Sequence, residues 1–296
     1  MFKVPEHQVA GHQALKGRLG PVVDDSGRFY KPLQSDERGK NEVAFYKSLS
    51  SKTESLIPDN IRRFFPVFYG TELVEATDGS GPKPHLVLQN LNAGLKFPSI
   101  MDIKIGTRTW YPQASEMYIT KCLKKDRESS TVKLGFRLCG LQVYNSKESG
   151  YWKPDRKAVA KLSAEDVKMV LRKFVSDEGF DSDHPDCSVA SIVLGGPNGI
   201  LSQLRELKAW FEDQTMYHFY SCSVLMMYDK EKALSGGDPV AEVKMIDFAH
   251  VGKGNGVIDH NFLGGLCSLI KFVSDIHEYS LKDSQEKQIS YGNGDI

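Results

Sequence analysis

Apolar and polar positions alternate along residues 98–106, PSIMDIKIG. Successive side chains of an extended strand point to opposite faces. Met101, Ile103 and Ile105 therefore share one face, and Asp102, Lys104 and Gly106 share the other. One face reads as built for burial and the other as built to hold something charged. Upstream, GPVVDDSGRFYKPLQ carries apolar pairs on either side of Asp24, Asp25, Ser26 and Gly27, a hairpin signal with Lys31 emerging from its second strand. RGKNEVAFYKSLS places Val43, Tyr46 and Leu49 at helical spacing. FFPVFYGTELVE reads as a strand region and ATDGSGPKP as a turn. HLVLQNLNAG begins as a buried strand, His85 to Leu88. It turns polar and loose from Gln89 to Gly94, which is the expected hinge between two lobes.

Downstream, Ser115 is the expected N-cap of a helix in YPQASEMYITKCLKKDR, where Lys121, Lys124 and Lys125 fall at i, i+3 and i+4 on one face. GFRLCGLQVYN alternates as a strand. LSAEDVKMVLRKFVSD reads as a helix opened by a capping box of Ser163 and Asp166. Gly179 to Gly199 reads as loop, LSQLRELKAWFEDQTMYHF as helix, and SCSVLMMYD and AEVKMIDFAH as strands around an LSGGDP turn. HNFLGGLCSLIKFVSDIHEYS is the last expected helix, with a polar, frayed tail after Lys282.

Composition narrows the function classes. The 296 residues are enough for one large domain or two lobes. Lys plus Arg and Asp plus Glu both number 38, so the chain has no global basic field for nucleic acid, and any polyanion site must come from local clustering. The five cysteines, Cys122, Cys139, Cys187, Cys222 and Cys267, are scattered and odd in number. They read as reduced structural thiols in an intracellular compartment. The stretch MFKVPEHQVAGH has no apolar segment of a signal peptide, and no apolar run approaches the roughly 20 residues of a membrane helix.

Four features carry chemistry together that none carries alone. Lys31 follows a hairpin, Asp102 and Lys104 share a strand face, three lysines line a helix, and Asp247 ends an apolar strand in MIDFAH. Each of the first three is ordinary surface charge when taken singly. A carboxylate at the end of an apolar strand needs a partner, a hydrogen-bond network or a metal, and its hard oxygen suits magnesium. A lysine for nucleotide phosphates, a hinge for a base, a magnesium-binding aspartate and a basic cluster for an anionic acceptor make up a phosphoryl-transfer site. There is no GxxxxGK[ST], no GxGxxG over the hairpin, no HRD and no APE, so P-loop enzymes and ordinary protein kinases are excluded.

The motif PSIMDIKIG resembles the PxxxDxKxG signature of the inositol polyphosphate kinases, and MIDFAH resembles that family's metal-binding motif. GHQALKGRLG, KPLQ, HLVLQNLNAG, GFRLCGLQVY and FYSCSVLMMY follow the family's order along nearly the whole chain. VPEHQVAGH and VIDHNFLGGLCSLIKF look like the family's plant multikinase branch.

The resemblance implies a two-lobed α+β fold, distantly protein-kinase-like, with antiparallel sheets in both lobes. The N-lobe would span residues 1–90 and the C-lobe 91–296, with a short inositol-binding helical segment at about 112–127. It implies ATP and Mg2+ as cofactors and soluble inositol polyphosphates as acceptors. Lys31 looks like the lysine on the ATP phosphates and Glu42 like its ion-pair partner. Gln89 and Leu91 look like hinge residues whose backbone meets adenine. Asp102 looks like the aspartate at the ribose, Lys104 like the catalytic lysine between γ-phosphate and acceptor, and Asp247 like the magnesium ligand. Arg38, Lys121, Lys125 and His250 look like inositol phosphate contacts, with His250 also relaying the hydroxyl proton.

Two positions depart from the family. Its SSLL motif reads Cys222, Ser223, Val224 and Leu225, keeping Ser223 as a supporting residue, and the hinge reads Gln-Asn-Leu in place of an acidic pair. The implied activity takes inositol 1,4,5-trisphosphate through a tetrakisphosphate to a pentakisphosphate by 6- and 3-kinase steps. A selective 3-kinase and an inositol phosphate-binding scaffold are the competing readings. A monomer, a nuclear and cytoplasmic location and nuclear protein partners are further expectations from the resemblance.

Overall fold

The structure, a computed structural model, describes residues 1–9, 11, 14, 17–51, 56–177 and 183–292, with the side chains of 284 and 286–292 outside the description. Residues 12, 13, 15 and 16 of GHQALKGRLG, 179–182 of the expected loop and 293–296 of the tail also lie outside the described residues.

The first half builds a four-stranded antiparallel sheet. β1 (Val22–Val23) and β2 (Arg28–Pro32) form the expected hairpin, followed by helix α1 (Glu37–Ser50), the short α2 (Asp59–Arg62), β3 (Phe68–Glu75) and β4 (Pro82–Gln89), in sheet order β1-β2-β4-β3. The hairpin closes because Asp24 accepts from the Ser26 and Arg28 amides and from the Ser26 and Tyr30 hydroxyls. Those donors favour the ionised carboxylate against a desolvation cost, and its pKa falls to about 2. Asp36 caps α1. The helix turns Phe45, Tyr46 and Leu49 inward together with Glu42, a carboxylate only 3% exposed.

The second half is organised on β5 (Pro98–Ile105), the middle strand of a five-stranded antiparallel sheet. Its other strands are β6 (Phe136–Ser146), β7 (Gly150–Trp152), β9 (Ser223–Asp229) and β10 (Glu242–Ile246), in order β10-β9-β5-β6-β7. Around it lie α3 (Glu116–Arg127), α4 (Thr131–Leu134), α5 (Arg156–Val159), α6 (Ala164–Phe174), α7 (Ala190–Leu194), α8 (Ile200–Asp213), the strand β8 (Tyr217–Phe219), α9 (Lys230–Leu234), β11 (Val251–Lys253) and α10 (His260–Gly292). The fold is α+β, with antiparallel sheets in both halves. Met101, Ile103 and Ile105 are fully buried in the main core with Phe136, Leu138, Val224 and Met245. Ser115 and Ser163 cap α3 and α6 as expected, and the Ser163–Asp166 capping box is formed.

Four boundaries differ from the sequence expectation. The helix expected through 201–219 stops at Asp213, where Gln214 accepts from the Met216 and Tyr217 amides and donates to the Tyr217 carbonyl. Those bonds turn the chain into β8, which pairs with β11. The Gly179–Gly199 loop contains the five-residue α7. The LSGGDP turn is preceded by α9, capped by Asp229. The tail expected to fray after Lys282 continues α10 to Gly292.

Candidate active site

The two sheets face each other across a cleft of about 990 Å³. Lys31, Arg38, Glu42, Gln89, Leu91, Lys104, Asp247 and His250 all line it, although they lie as far apart in sequence as β2 and the end of β10.

Lys31 extends from β2 into this cleft. Its Nζ sits 2.7 Å from Glu42 Oε1 on α1 and 2.8 Å from Asp247 Oδ1 beyond β10. Burial opposes the ammonium charge, and Asp247 and then Glu42 outweigh it, so the pKa of Lys31 is raised. Glu42 Oε1 also accepts from the Phe248 amide at 3.3 Å, which ties α1 to the IDFAH segment. The expected Lys31–Glu42 pair is therefore formed, with Asp247 as a third member. Asp247 holds a left-handed backbone, φ 68, uncommon for a residue with a side chain.

Lys104 Nζ donates to the Ser221 carbonyl at 2.7 Å and lies 3.1 Å from its hydroxyl. Ser221 also sits at positive φ, 57. Two strained residues at the ends of neighbouring strands thus frame one end of the cleft, a placement that marks functional sites.

Asp102 is the largest surprise. The strand alternation suggested a charged face open to a ligand, yet Asp102 is 2% exposed and lies beneath the cleft lining. It sits opposite Gly140, next to a β-bulge in the β5–β6 pairing. Desolvation, and next the charge of Asp247, push its pKa up to about 6, while Lys104, Ser223 and Arg156 pull the other way. Ser223 Oγ is near enough to favour the ionised form but falls short of hydrogen-bond geometry. It and Asp102 Oδ1 are both buried without a hydrogen-bond partner. An orphaned buried carboxylate oxygen behind a cleft is an acceptor awaiting a donor.

The glycine of the motif has a separate cause. Gly106 has φ +106, and a Cβ there would meet Asn261 Nδ2 of α10 at 2.5 Å. Asn261 in turn bonds both the amide and the carbonyl of Arg108, fixing the chain just after β5.

His250 shapes the far end of the cleft. Tyr111 stacks on its ring at 4.9 Å, and the Tyr118 hydroxyl lies 3.2 Å from Nε2. Burial, then Lys104 and Arg38, lower its pKa to about 4, so the imidazole is neutral near pH 7. Tyr118 belongs to α3, so this helix reaches the site through it. Tyr118, Lys121 and Lys125 follow at i, i+3 and i+7 and share a helix face. Lys121 and Lys125 are exposed and lie outside the cleft lining. α3 is anchored from beneath by Asp126, which is 3% exposed in its side chain and pairs with Arg137 at 2.8 Å. Asp126 also accepts from the Thr109 hydroxyl at 2.9 Å.

At the hinge, the Gln89 amide is already bonded to the Val67 carbonyl at 2.8 Å, so that donor is engaged. Leu91 packs with Ile246 against a small apolar floor of Val9, Ile100, Leu225 and Met227. Sequence reading missed Ser221, Tyr111, Tyr118 and Val9. All four lie inside quoted stretches, but their partners lie more than 100 residues away in three cases and more than 90 in the fourth, and spacing carries no signal for such contacts. All five cysteines are free thiols, and Cys222 is fully buried. No helix among the described residues is long and apolar enough to cross a membrane.

The donor set can be tested against a divalent cation. Among the described residues no cluster of three or more His, Cys, Asp or Glu side chains is placed to hold a metal by itself. Asp247 offers a hard carboxylate, one-third exposed in the cleft, beside a lysine suited to phosphate. That arrangement fits Mg2+, which takes one or two carboxylates and completes its shell with water and substrate phosphates.

Comparison with known proteins gives a consistent picture. A family model described as inositol polyphosphate kinase matches residues 85–274. Inositol polyphosphate multikinase beta of Arabidopsis thaliana is 58% identical over 283 residues, covering 93% of this chain and 94% of the relative. Inositol polyphosphate multikinase IPK2 of Oryza sativa subsp. japonica is 50% identical over 285 residues, covering 93% and 94%. A solved inositol phosphate multikinase superposes with TM-score 0.68 at 51% identity, covering 79% of this chain and 99% of that one. The S. cerevisiae inositol phosphate multikinase in complex with ADP and Mn2+ shares the fold, with TM-score 0.64 at 19% identity, covering 84% and 98%.

Proposed function

The chain belongs to the inositol polyphosphate kinase family, and from that premise we propose that it transfers the γ-phosphoryl group of ATP to hydroxyls of soluble inositol polyphosphates. The observation that carries the reading is the convergence of Lys31, Glu42 and Asp247 in one cleft with Lys104 and His250. Phosphoryl transfer asks a protein mainly for positioning and charge neutralisation, and this cleft is furnished for both.

In the proposed assignment the lobes divide at about residue 90, and the nucleotide lies between them with its base against Leu91 and the apolar floor. Glu42 orients Lys31 toward the phosphates. Asp247, with the substrate phosphates, holds Mg2+, which when bound neutralises charge developing on the transferring group. Asp102 Oδ1 is the buried acceptor for a ribose hydroxyl, with Ser223 as its neighbour. Lys104 exchanges its Ser221 contacts for the γ-phosphate and the acceptor phosphate. His250, neutral near pH 7, accepts the proton of the attacking hydroxyl. Arg38 from the opposite wall, and Lys121 and Lys125 along the α3 face that Tyr118 begins, neutralise the acceptor's phosphates.

The finer substrate assignment is inositol 1,4,5-trisphosphate, converted by 6- and 3-kinase steps to the pentakisphosphate. Its support is the short α3 segment, which leaves room for the ring to dock in more than one orientation, and the name multikinase that the Arabidopsis and rice relatives carry. We place the enzyme in nucleus and cytoplasm as a monomer open to nuclear partners, an assignment that cell imaging of a fluorescent fusion would test. For the reaction itself, the test is anion-exchange separation of the products formed from inositol 1,4,5-trisphosphate, Mg2+ and labelled ATP. Sequential tetrakis- and pentakisphosphate peaks are expected. A lone tetrakisphosphate would replace this reading with a selective 3-kinase, and binding without product would replace it with a scaffold.

A further inference from the structure

The N-terminal residues cross the molecule as a strap. Lys3 forms a backbone bridge to Val23 of β1, with N···O distances of 2.9 and 2.8 Å, and Phe2 packs edge-on against Tyr30 of β2 at 4.8 Å. The Asn92 side chain, at the hinge, donates to the His7 carbonyl at 3.2 Å. The Gln142 amide of β6 meets His7 Nδ1 at 3.1 Å, and Lys153 donates to the Glu6 carbonyl at 3.2 Å. Arg156 of α5 donates to the Gly11 carbonyl. The strap is thereby clipped to the first sheet, the hinge and the second sheet in turn.

What the strap carries inward is Val9. It is 6% exposed and packs with Ile100, Leu225 and Met227, a cluster separate from the main core. Val9, Leu91, Ile100, Leu225 and Ile246 all line the cleft at its hinge end. The approach is close. A Cβ at Gly140, below the strap, would fall 2.1 Å from the Val9 carbonyl oxygen, so the strap needs glycine there to lie flat. A three-point clip that delivers one buried apolar side chain to a ligand cleft does more than tidy a terminus, since chain ends are poorly ordered unless tied down.

We propose that this strap is the outer wall of the base pocket and that Val9 contacts the nucleobase, making it a residue that sets affinity and selectivity for a planar base. The proposal rests on the nucleotide reading given above. Val9 extends the Ile100–Leu225 floor against which it packs, so the strap would close the outer edge of the apolar face offered to a base and leave the base's polar edge to the hinge backbone.

The test compares Mg–ADP with Mg–pyrophosphate, which keeps the phosphates and lacks the base, by isothermal titration calorimetry on the full chain. Val9→Ala removes up to two methyl groups of contact, and ADP binding should weaken about three- to tenfold. Gly140→Ala, which displaces the strap without touching the base, should weaken ADP in the same direction. Pyrophosphate affinity should stay within about twofold for both variants, because neither touches the phosphate end. Equal weakening of the two probes would make the strap a general brace and overturn the proposal. Unchanged ADP binding in both variants would overturn it while leaving the nucleotide reading intact. A wild-type protein that binds ADP no better than pyrophosphate would remove base recognition, and the nucleotide reading would fall with it.

Discussion

Replacing Asp102 with Asn should make the ligand-free protein more stable. Asp102 is buried with Oδ1 unpartnered, and its pKa lies at about 6 against an ordinary 3.8. A carboxyl whose folded pKa is raised costs stability wherever the unfolded chain is ionised and the folded one resists ionising. That cost is fully present above about pH 6 and is lost as pH falls toward 3.8. A shift of about two units corresponds to roughly 3 kcal/mol at neutral pH. By pH 5 the same linkage gives about half of that. An Asn side chain carries no charge and escapes this cost, although its amide needs partners of its own, so a gain of about 1–3 kcal/mol at pH 7.5 is expected. Urea unfolding of both proteins at pH 7.5 and pH 5 measures it. The mutant's advantage should shrink by about 1.4 kcal/mol at the lower pH. A mutant that is destabilised by the same amount at both pH values would refute the reasoning. It would show that Asp102 is held by pH-independent hydrogen bonds rather than stored as a strained charge.

Other consequences follow from the same geometry. Lys31→Ala leaves Glu42 and Asp247 without their shared cation. Loss of about 2–4 kcal/mol in denaturant unfolding is expected, together with a collapse of turnover. Asp126→Ala takes the carboxylate from Arg137 and removes the acceptor of three hydrogen bonds from Thr109, and should cost about 3–5 kcal/mol, read as a fall in Tm. Lys125→Ala should raise KM for the inositol phosphate well beyond KM for ATP; equal changes would remove Lys125 from the acceptor site. With a pKa near 4 in the ligand-free protein, His250 is deprotonated from pH 5.5 to 8, so kcat/KM should show no inflection near 6.5 traceable to it. An inflection at 6.5 that disappears in His250→Gln would contradict that.

Much of the site could be read from the chain because its motifs sit on regular strands. The alternation of PSIMDIKIG placed Met101, Ile103 and Ile105 in the core, and the apolar run before Asp247 marked a strand end. Alternation reports which side chains share a face; it does not report what covers that face. Hence Asp102 looked open and is buried. Short elements were invisible for a related reason. β7, β8 and β11 have three residues each, too few for a period to register, and they exist through their partners. The helix expected over 201–219 ran too far because Tyr217 and Phe219 suit either state, and the Gln214 side chain settles the matter. α10 outruns its apolar pattern, since a polar segment can extend an established helix once nucleation has been met. The strap gave no periodic signal at all; it is held by bonds to distant residues of the first sheet, the hinge and the second half.

The central claim is that Asp247 and Lys31 serve a phosphoryl transfer rather than an ion pair that only braces the fold. It is tested most directly with Asp247→Asn, a substitution of nearly the same size, measured for single-turnover transfer from labelled ATP and for inositol 1,4,5-trisphosphate binding on the same preparation. The account predicts transfer reduced by at least about a thousandfold with inositol phosphate binding retained within a few fold. Transfer at the wild-type rate would contradict it.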